Sequence, residues 1–501
     1  MLFNSFLFIT FLFITLYLPL TCALFFALAR AHPRLAAFWL AVASVLFYGY
    51  WSPRFVLLLL GSIAFNYAMS VWILWMLRVR GCDRGVTGPW INAKRVLIAA
   101  LVGDLGLLAI FKYTDFAVNT VNAVAGLTVP NANIVLPLGI SFFTFTQIAF
   151  LVDVYRGHAR EYDPVHYVLF VSYFPHLIAG PVLHHGQIMP QFADTRIYTP
   201  SANNIAVGLA IFAVGLAKKV LLADTFSAYA DPVFASADAG VAPTALTAWF
   251  GALAYTLQLY FDFSGYCDMA IGVSRMFNVQ LPLNFDSPYK ARNIIEFWRR
   301  WHMTLSQFLR DYLYIPLGGN RHGELQRHLN LLITMLLGGL WHGASWTFVA
   351  WGGLHGAYLV ANHLWRRATA GATARRTVSG RSGLATVVLS TALTFTAVVV
   401  AWVLFRAETL SGAWTMLCSM SGLGGGDGMP ATHVAQLAPL WLGAGLAIVW
   451  MAPSTQDLAA RIRLPSPREQ LLVAGAMCVG IFLLAAINHS RGESAFIYFN
   501  F

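Results

Sequence analysis

The chain has 501 residues, of which 58% are hydrophobic and only 11% are charged, and its formal net charge is +11. In a soluble domain roughly a quarter of all residues are charged, so this composition excludes a protein whose whole surface faces water. The basic residues stand in short loops between apolar runs, which is the pattern of a membrane protein and argues against nucleic acid as a partner.

Apolar runs long enough to cross a lipid bilayer begin at the first residues. A bilayer core of about 30 Å needs about 20 apolar residues, and residues 2–29 contain no charge at all. This run lacks a basic leader and a small-residue cleavage site, which indicates a retained first helix rather than a signal peptide. Further predicted spans are 35–53, 55–77, 96–111, 134–152, 203–217, 245–261, 328–341, 343–365, 384–405, 437–452 and 471–487. The sequence therefore predicts an all-α polytopic membrane protein with about 11–12 transmembrane helices.

The basic loops predict how these spans are oriented. The loops rich in Arg and Lys are 30–34, 78–95, 366–381 and 461–468. All four can be cytoplasmic together only if both termini lie outside the membrane. Lys218 and Lys219 stand at the outer end of their predicted span and do not fit this rule.

The stretch 262–327 contains charges, prolines and glycines that lipid does not tolerate, so re-entrant or interfacial segments are predicted there. Within it Asp262 and Asp268 flank Ser264–Gly265, where the helix is predicted to unwind. The two carboxylates suit acid–base chemistry. The more frequent role of such carboxylates is to pair with a residue such as Arg275 or with loose backbone amides inside the bundle.

Residues 293–312 form the clearest amphipathic pattern, with Asn293 and Glu296 placed as an N-cap pair. The periodicity predicts one helix that lies flat at the membrane surface, with His302 on its aromatic face. By periodicity alone, His302 is more typical of a core histidine that donates to a carbonyl. The basic residues of the opposite face are Arg299, Arg300 and Arg310. They fit an interfacial anchor, or a cradle for the phosphates of a donor such as coenzyme A.

His342 lies between Trp341 and Gly343 in an otherwise apolar span. Ionisable residues at membrane depth are rare and usually functional. A neutral imidazole accepts a proton near neutral pH, so His342 suits a general base or a transient acyl carrier. The alternative is a hydrogen bond between helices. His355 follows at a distance that is not a ligand spacing, and the five cysteines form no Cys/His motif, so no metal site is predicted.

The chain ends in the aromatic segment SAFIYFNF. Aromatic residues at such a position usually anchor in the membrane interface. Tyr498 also offers a hydroxyl nucleophile on a short end that the charge rule places outside the membrane.

Four segments carry long motifs: YFDFSGYCDMAIG (260–272), FWRRWHMTLSQFLRDYLYIPLGGNR (297–321), LLGGLWHGASWTFVAWGGLHG (336–356) and FIYFNF (496–501). Together they resemble the membrane-bound O-acyltransferase (MBOAT) family, and most closely its bacterial alginate O-acetyltransferase branch. MLFNSFLFI at the start of the chain and FPHLIAGP further on are similar to that branch too. The resemblance implies one membrane domain over 1–501, built as a helical bundle around a central pore or funnel. Its expected parts are N-terminal helices at 1–130, a catalytic core at 131–365, C-terminal helices at 366–490 and a periplasmic tail at 491–501.

The resemblance also implies roles for the residues singled out above. His342 matches the catalytic histidine of the family, and His302 matches its second active-site histidine. The expected acetyl donor is cytoplasmic acetyl-CoA. The residues expected to bind it are Arg299, Arg300 and Arg310. By analogy with a D-alanylation system, Tyr498 is the expected first acceptor, in a protein of the bacterial inner membrane. An SGNH-type periplasmic acetyltransferase is the expected partner, beside a polysaccharide synthase and export complex.

The motifs leave the acceptor open, because relatives that modify alginate, cellulose or peptidoglycan share them. His184–His185 also stands where other polar or basic residues are expected in an alginate-type relative. Two other classes of function fit a bundle with a pore. A transporter or flippase of a glycan or lipid-linked sugar predicts that export fails without the protein. A scaffold of an export complex predicts that the histidines are dispensable.

Overall fold

A computed structural model describes residues 8–480, apart from 83–91, 160–161, 178–179, 370–382, 425–437, 462–465, 467–468, 470, 474 and 478. Within those residues all regular secondary structure is helical, which confirms the predicted all-α fold. The α-helices are, in chain order, α1 (Leu18–Ala31), α2 (Pro33–Trp51), α3 (Val56–Cys82), α4 (Ala93–Ala125), α5 (Ile140–Tyr155), α6 (Pro164–Ser172), α7 (Phe174–Leu177), α8 (His185–Ala193), α9 (Ala202–Ala217), α10 (Asp224–Asp238), α11 (Ala245–Met276), α12 (Ile294–Arg300), α13 (Met303–Leu309), α14 (Gly323–His342), α15 (Trp346–Ala368), α16 (Leu384–Arg406), α17 (Leu410–Met420), α18 (Ala438–Met451) and α19 (Thr455–Arg461). Turns of π-helix occupy Phe8–Tyr17, Lys218–Ala223 and Arg310–Tyr314.

Several of these helices are long and apolar enough to cross a membrane. In the described part of the chain six qualify by length and composition: Phe13–Ala31, Pro33–Trp51, Pro53–Arg78, Ala93–Ala125, Ala202–Asp238 and Leu384–Arg406. Two shorter apolar helices are Ile140–Tyr155 and Ala438–Met451. The protein is therefore a multi-pass membrane protein. The predicted last span at 471–487 lies largely outside the described residues, and the aromatic tail lies wholly outside them.

The helices belong to two compact units. The first contains the described residues of Met1–Val214, Tyr266–Pro282 and Ile462–His489. Its spanning helices carry buried polar side chains that pair with one another: Asn66 of α3 donates to Asp104 of α4 over 2.8 Å. Gln147 of α5 donates to the hydroxyl of Ser62 over 2.9 Å. Such pairing offsets the cost of polar groups in a region without water.

The second unit contains Gly215–Gly265 and Leu283–Arg461. Its most intimate helix pair is α14 against α15, where glycines let the two backbones touch. A β-carbon on Gly339 would overlap the carbonyl oxygen of Phe348, and one on Gly352 would overlap that of Met335. Small residues are the usual means by which helices approach this closely in membranes.

Gly352→Ala is expected to lower the free energy of unfolding by about 1–3 kcal/mol, because the added methyl group must push α14 and α15 apart. Thermal unfolding of the purified protein in detergent measures the effect. Gly353→Ala is the matched control, since its β-carbon would stand 3.4 Å from the Leu336 side chain, an ordinary contact. Equal stability of the two variants would contradict the close packing described here.

Two local predictions from the sequence are wrong. The helix α11 does not unwind at Ser264–Gly265 but runs unbroken through Ala245–Met276. Gly265 serves close packing instead, since its β-carbon would stand only 2.7 Å from the carbonyl oxygen of Gly215. The predicted single helix over 293–312 is also absent: the chain forms α12, breaks at Trp301 and His302, and continues as α13 and a π-helical turn.

Candidate active site

His342 is the last residue of α14 in the second unit, and its residue surface is 1% exposed. Gly343 takes an extended conformation and ends the helix, and the side chain of Ser345 caps the start of α15. The turn between these helices therefore presents His342 at a helix end. Three aromatic rings surround the imidazole, with centroids at 5.0 Å for Trp341, 5.1 Å for Trp351 and 5.3 Å for Phe405.

His302 lies at the break between α12 and α13 and is fully buried. Its backbone has φ 42° and ψ 53°, the left-handed conformation that non-glycine residues rarely adopt. Asn284 supports this turn, since its main-chain oxygen accepts from the Met303 amide over 3.0 Å and its side-chain oxygen from the Thr304 amide over 3.2 Å. These bonds replace helical hydrogen bonds, and that is why the predicted continuous helix is broken here.

Asn284 also holds the ring of His302, with 3.1 Å between the asparagine Oδ1 and the histidine Nδ1. Phe263 of α11 packs against the same ring, at 4.8 Å between ring centroids and nearly perpendicular. His302 lies outside the candidate membrane spans, and burial lowers its pKa to about 3. The imidazole of His302 is therefore neutral at physiological pH.

The two predicted histidines come together although 40 positions separate them in the chain. Their ring centroids are 6.1 Å apart, and both rings lie inside the second unit. Trp341 contacts both of them, at 5.0 Å from His342 and 6.1 Å from His302. Two imidazoles at this separation can both contact one small acyl or hydroxyl group, in surroundings from which bulk water is excluded.

A third histidine, His355, lies in the same wall of aromatic rings, although its sequence position predicted no role for it. His355 of α15 is fully buried, and its Nδ1 accepts a hydrogen bond from the indole of Trp298 over 3.3 Å. Trp351 lies between the two histidines of these helices, at 4.9 Å from His355 and 5.1 Å from His342. His355 thus ties α12 to the wall behind His342. In the sequence, His355 is marked only by its place in the apolar segment that follows the WHG motif. That place alone does not distinguish it from a core histidine.

The three arginines predicted to bind the donor differ in their surroundings. Arg299 is exposed and takes no part in the ion pairs formed among the described residues. Arg300 pairs with Glu296 over 2.9 Å and lies 3.6 Å from a carboxylate oxygen of Asp286. Arg310 pairs with Asp311 over 2.7 Å and is largely exposed. Of the three, Arg299 has the guanidinium most available to a phosphate group.

A buried ion cluster on the same unit was missed by the sequence reasoning. Lys219 lies 2.7 Å from a carboxylate oxygen of Asp224 and 2.9 Å from one of Asp262, and all three side chains are mostly buried. Asp262 therefore pairs with Lys219, where the sequence suggested Arg275. Lys219 did carry a signal, since it broke the charge rule that orients the spans. The structure shows Lys219 buried between two carboxylates, so its charge is compensated inside the protein.

Two further sequence predictions concern Tyr498 and the pair His184–His185. Tyr498, the predicted first acceptor, lies outside the described residues. His184 and His185 belong to the first unit, where His184 precedes α8 and the Nδ1 of His185 lies 3.2 Å from a carboxylate oxygen of Asp153. Within the described parts of the chain, no group of three or more His, Cys, Asp or Glu side chains is placed to hold a metal ion.

Comparison with known proteins adds three kinds of relative. The sequence profile of MBOAT, the membrane-bound O-acyltransferase family, matches residues 6–400. A peptidoglycan O-acetyltransferase of Helicobacter pylori is 42% identical over 465 residues, which cover 87% of this chain and 83% of the relative. A probable alginate O-acetylase AlgI of Pseudomonas aeruginosa is 42% identical over 418 residues, covering 82% and 74%. A teichoic acid D-alanyltransferase of Streptococcus thermophilus is 29% identical over 238 residues, covering 46% and 57%.

Proposed function

This chain belongs to the membrane-bound O-acyltransferase family, and from that premise we propose that it moves acetyl groups from cytoplasmic acetyl-CoA across a bacterial inner membrane. The acetyl groups serve the O-acetylation of an exported polysaccharide. The protein is an acyltransferase enzyme, and the proposal concerns its donor, its acceptor and the direction of transfer. The observation that carries it is the pair of buried imidazoles, His302 and His342, at 6.1 Å between ring centroids.

The chemistry proposed for this pair is attack of a hydroxyl oxygen on the thioester carbonyl of acetyl-CoA. A carbon–oxygen bond forms, the carbon–sulfur bond breaks, and the coenzyme A thiolate leaves. An imidazole takes the hydroxyl proton during attack, and the thiolate receives that proton at the end of the cycle. His342 and His302 supply the imidazoles, and their buried surroundings keep water from competing with the acceptor hydroxyl.

The donor is proposed to dock at the arginines of α12 and of the π-helical turn after α13. Arg299 is exposed, and Arg300 and Arg310 lie nearby in sequence with carboxylate partners. Guanidinium groups bind phosphate oxygens through paired hydrogen bonds, so a phosphate-rich donor can exchange with those carboxylates. Both termini are proposed to lie in the periplasm, which puts Tyr498 on the acceptor side as the first hydroxyl to receive the acetyl group.

The acceptor is proposed to be a polysaccharide of the alginate or cellulose type, reached through an SGNH-type periplasmic acetyltransferase. The names of the relatives support a cell-envelope acceptor, since they refer to peptidoglycan, alginate and teichoic acid. Such different acceptors among relatives of one chain indicate that the acyl-handling core is shared. A periplasmic partner that carries acceptor specificity accounts for this spread.

Loss of the protein is expected to leave the polysaccharide exported in normal amount but without acetyl esters. The measurement is the yield of secreted polymer together with its ester-linked acetate, in a strain that lacks the gene and in the same strain carrying it back. If the protein is a transferase, its loss removes the ester-linked acetate and leaves the yield of secreted polymer unchanged. Failure of export would contradict the proposal and favour the transporter, while unchanged acetate would exclude any part in acetylation.

A further inference from the structure

Asn284 makes an unusual set of contacts for a single buried side chain. Its surface is 1% exposed, and its Oδ1 atom has three donors within hydrogen-bond distance. These are the Thr304 amide at 3.2 Å, the Thr304 hydroxyl at 2.9 Å and the Nδ1 of His302 at 3.1 Å. Asn284 therefore contacts both the backbone that follows His302 and the ring of His302 itself.

These contacts determine which nitrogen of His302 carries the proton. A backbone amide can only donate, so the Asn284 atom that faces Thr304 must be the oxygen and not the nitrogen of the side-chain amide. An amide oxygen carries no hydrogen, so the hydrogen between it and His302 belongs to Nδ1. A neutral imidazole has one N–H and one lone pair. The lone pair of His302 is therefore on Nε2, at the edge of the ring away from Asn284.

We propose that Asn284 is a positioning residue for acetyl transfer, one that fixes His302 as the tautomer with a basic Nε2. This rests on the proposed function, and it makes His302 a proton acceptor in its own right rather than a support for His342. In the balanced step, the hydroxyl proton moves to Nε2 of His302 as the carbon–oxygen bond forms, and leaves with the coenzyme A thiolate. The imidazolium that forms in between keeps its Nδ1 hydrogen bond to Asn284.

The backbone geometry supports the same assignment. A left-handed conformation at a non-glycine residue is uncommon and persists where surrounding contacts impose it, often at functional sites. At His302 those contacts come from Asn284, whose main-chain oxygen holds the Met303 amide and whose side chain holds the Thr304 amide. One residue thus controls the position of the turn, the orientation of the ring and its tautomer.

Few charged or titratable groups of the described residues face His302. From α14, His342 contacts it at 6.1 Å between centroids. From α11, Asp262 is next in sequence to the contacting Phe263, but its carboxylate pairs with Lys219. Asp286, two residues after Asn284, lies near Arg300. The pH dependence of His302 is therefore set by its burial and by its contacts with Asn284 and His342.

The test compares Asn284→Leu and Asn284→Asp with wild type, in purified full-length protein. Leucine removes the side-chain acceptor but keeps the main-chain bond to Met303, so the rate of acetyl transfer is expected to fall about 100-fold in a folded protein. Aspartate keeps the acceptor and adds a negative charge that stabilises the imidazolium. It should keep most of the rate at its optimum and move the acid limb of the pH–rate profile up by about one to three pH units.

Asn330→Asp is the matched control. Asn330 is a fully buried asparagine of the same unit that bonds the carbonyl of Gly319 and the side chain of Gln326, away from both histidines. Its substitution should leave the acid limb where it is in wild type. An equal shift in both aspartate variants, or an unshifted Asn284→Asp profile, would overturn the proposal.

A second measurement does not depend on activity. The 15N spectrum of histidine-labelled protein, with His302 assigned by its loss in His302→Gln, reports the protonated nitrogen directly. We expect a proton on Nδ1 in wild type and a change of tautomer in Asn284→Leu. A proton on Nε2 in wild type overturns the assignment even if acetyl transfer is seen. A wild-type protein with the expected tautomer but no acetyl transfer instead refutes the proposed function.

Discussion

Replacing His342 by glutamine is expected to lower the rate of acetyl transfer by about 10²–10⁴-fold, while the protein stays folded in the membrane. Glutamine fills most of the space of histidine and keeps a polar group among Trp341, Trp351 and Phe405. It has no ring nitrogen that can hold a proton or an acyl group, so the pair would lose one of its two imidazoles. The expected loss is therefore chemical and not structural.

The measurement is the initial rate of acetyl transfer by membranes with equal amounts of folded protein. His166→Gln is the control, because His166 is a histidine of low exposure in the first unit that has no place in the proposed chemistry. Its rate should stay close to that of wild type. Wild-type acetylation by the His342→Gln protein would refute the catalytic role of His342 and favour the scaffold.

The His342→Gln variant also tests whether the acetyl group passes His342 before it reaches Tyr498. If Tyr498 is the first acceptor, mass spectrometry of the intact C-terminal peptide should find an acetyl ester on wild-type protein and none on His342→Gln. An acetyl ester on the tyrosine of the variant would show that acylation of Tyr498 does not pass through His342.

The positions of the helices could be predicted from the sequence, because apolar length is a strong and local signal. The predicted spans 384–405 and 437–452 correspond within one residue to α16 and α18. His342 of the candidate active site could also be found, since an imidazole in an apolar stretch is rare, whereas His302 was singled out by the family resemblance of its motif. In each case the residues that carry the signal lie next to each other in the chain.

The environment of those histidines could not be predicted in the same way. The break at His302 depends on Asn284, which stands 18 positions earlier and belongs to no local pattern. The continuity of α11 at Gly265 depends on the close approach of Gly215, again a contact between distant positions. Amphipathic periodicity predicts a continuous helix wherever the pattern continues, and it cannot report a competing hydrogen bond from another segment.

Lys219→Met is expected to lower the free energy of unfolding by about 3–5 kcal/mol, the largest stability effect of any substitution considered. The Lys219 ammonium lies between the carboxylates of Asp224 and Asp262, at 2.7 and 2.9 Å, and all three side chains are mostly buried. Removing it leaves two buried like charges, one of which, Asp224, lies in the candidate span Ala202–Asp238. Since folded proteins are typically stable by only about 5–15 kcal/mol, much of the variant should fail to accumulate as folded protein.

A triple variant tests whether the loss of stability in Lys219→Met comes from unpaired buried carboxylates or from lost packing of the lysine side chain. The triple variant Lys219→Met, Asp224→Asn, Asp262→Asn removes the cluster without leaving a charge, and buried ion clusters can usually be replaced by neutral groups at little cost. Its melting temperature in detergent should return most of the way to that of wild type. Lys218→Met is the neighbouring control, because the Lys218 ammonium lies over the Tyr260 ring at 5.8 Å, and a cation–π contact at an exposed site contributes about 0.5–1 kcal/mol. A triple variant no more stable than Lys219→Met would mean that the lysine stem, and not its charge, holds this part of the second unit together.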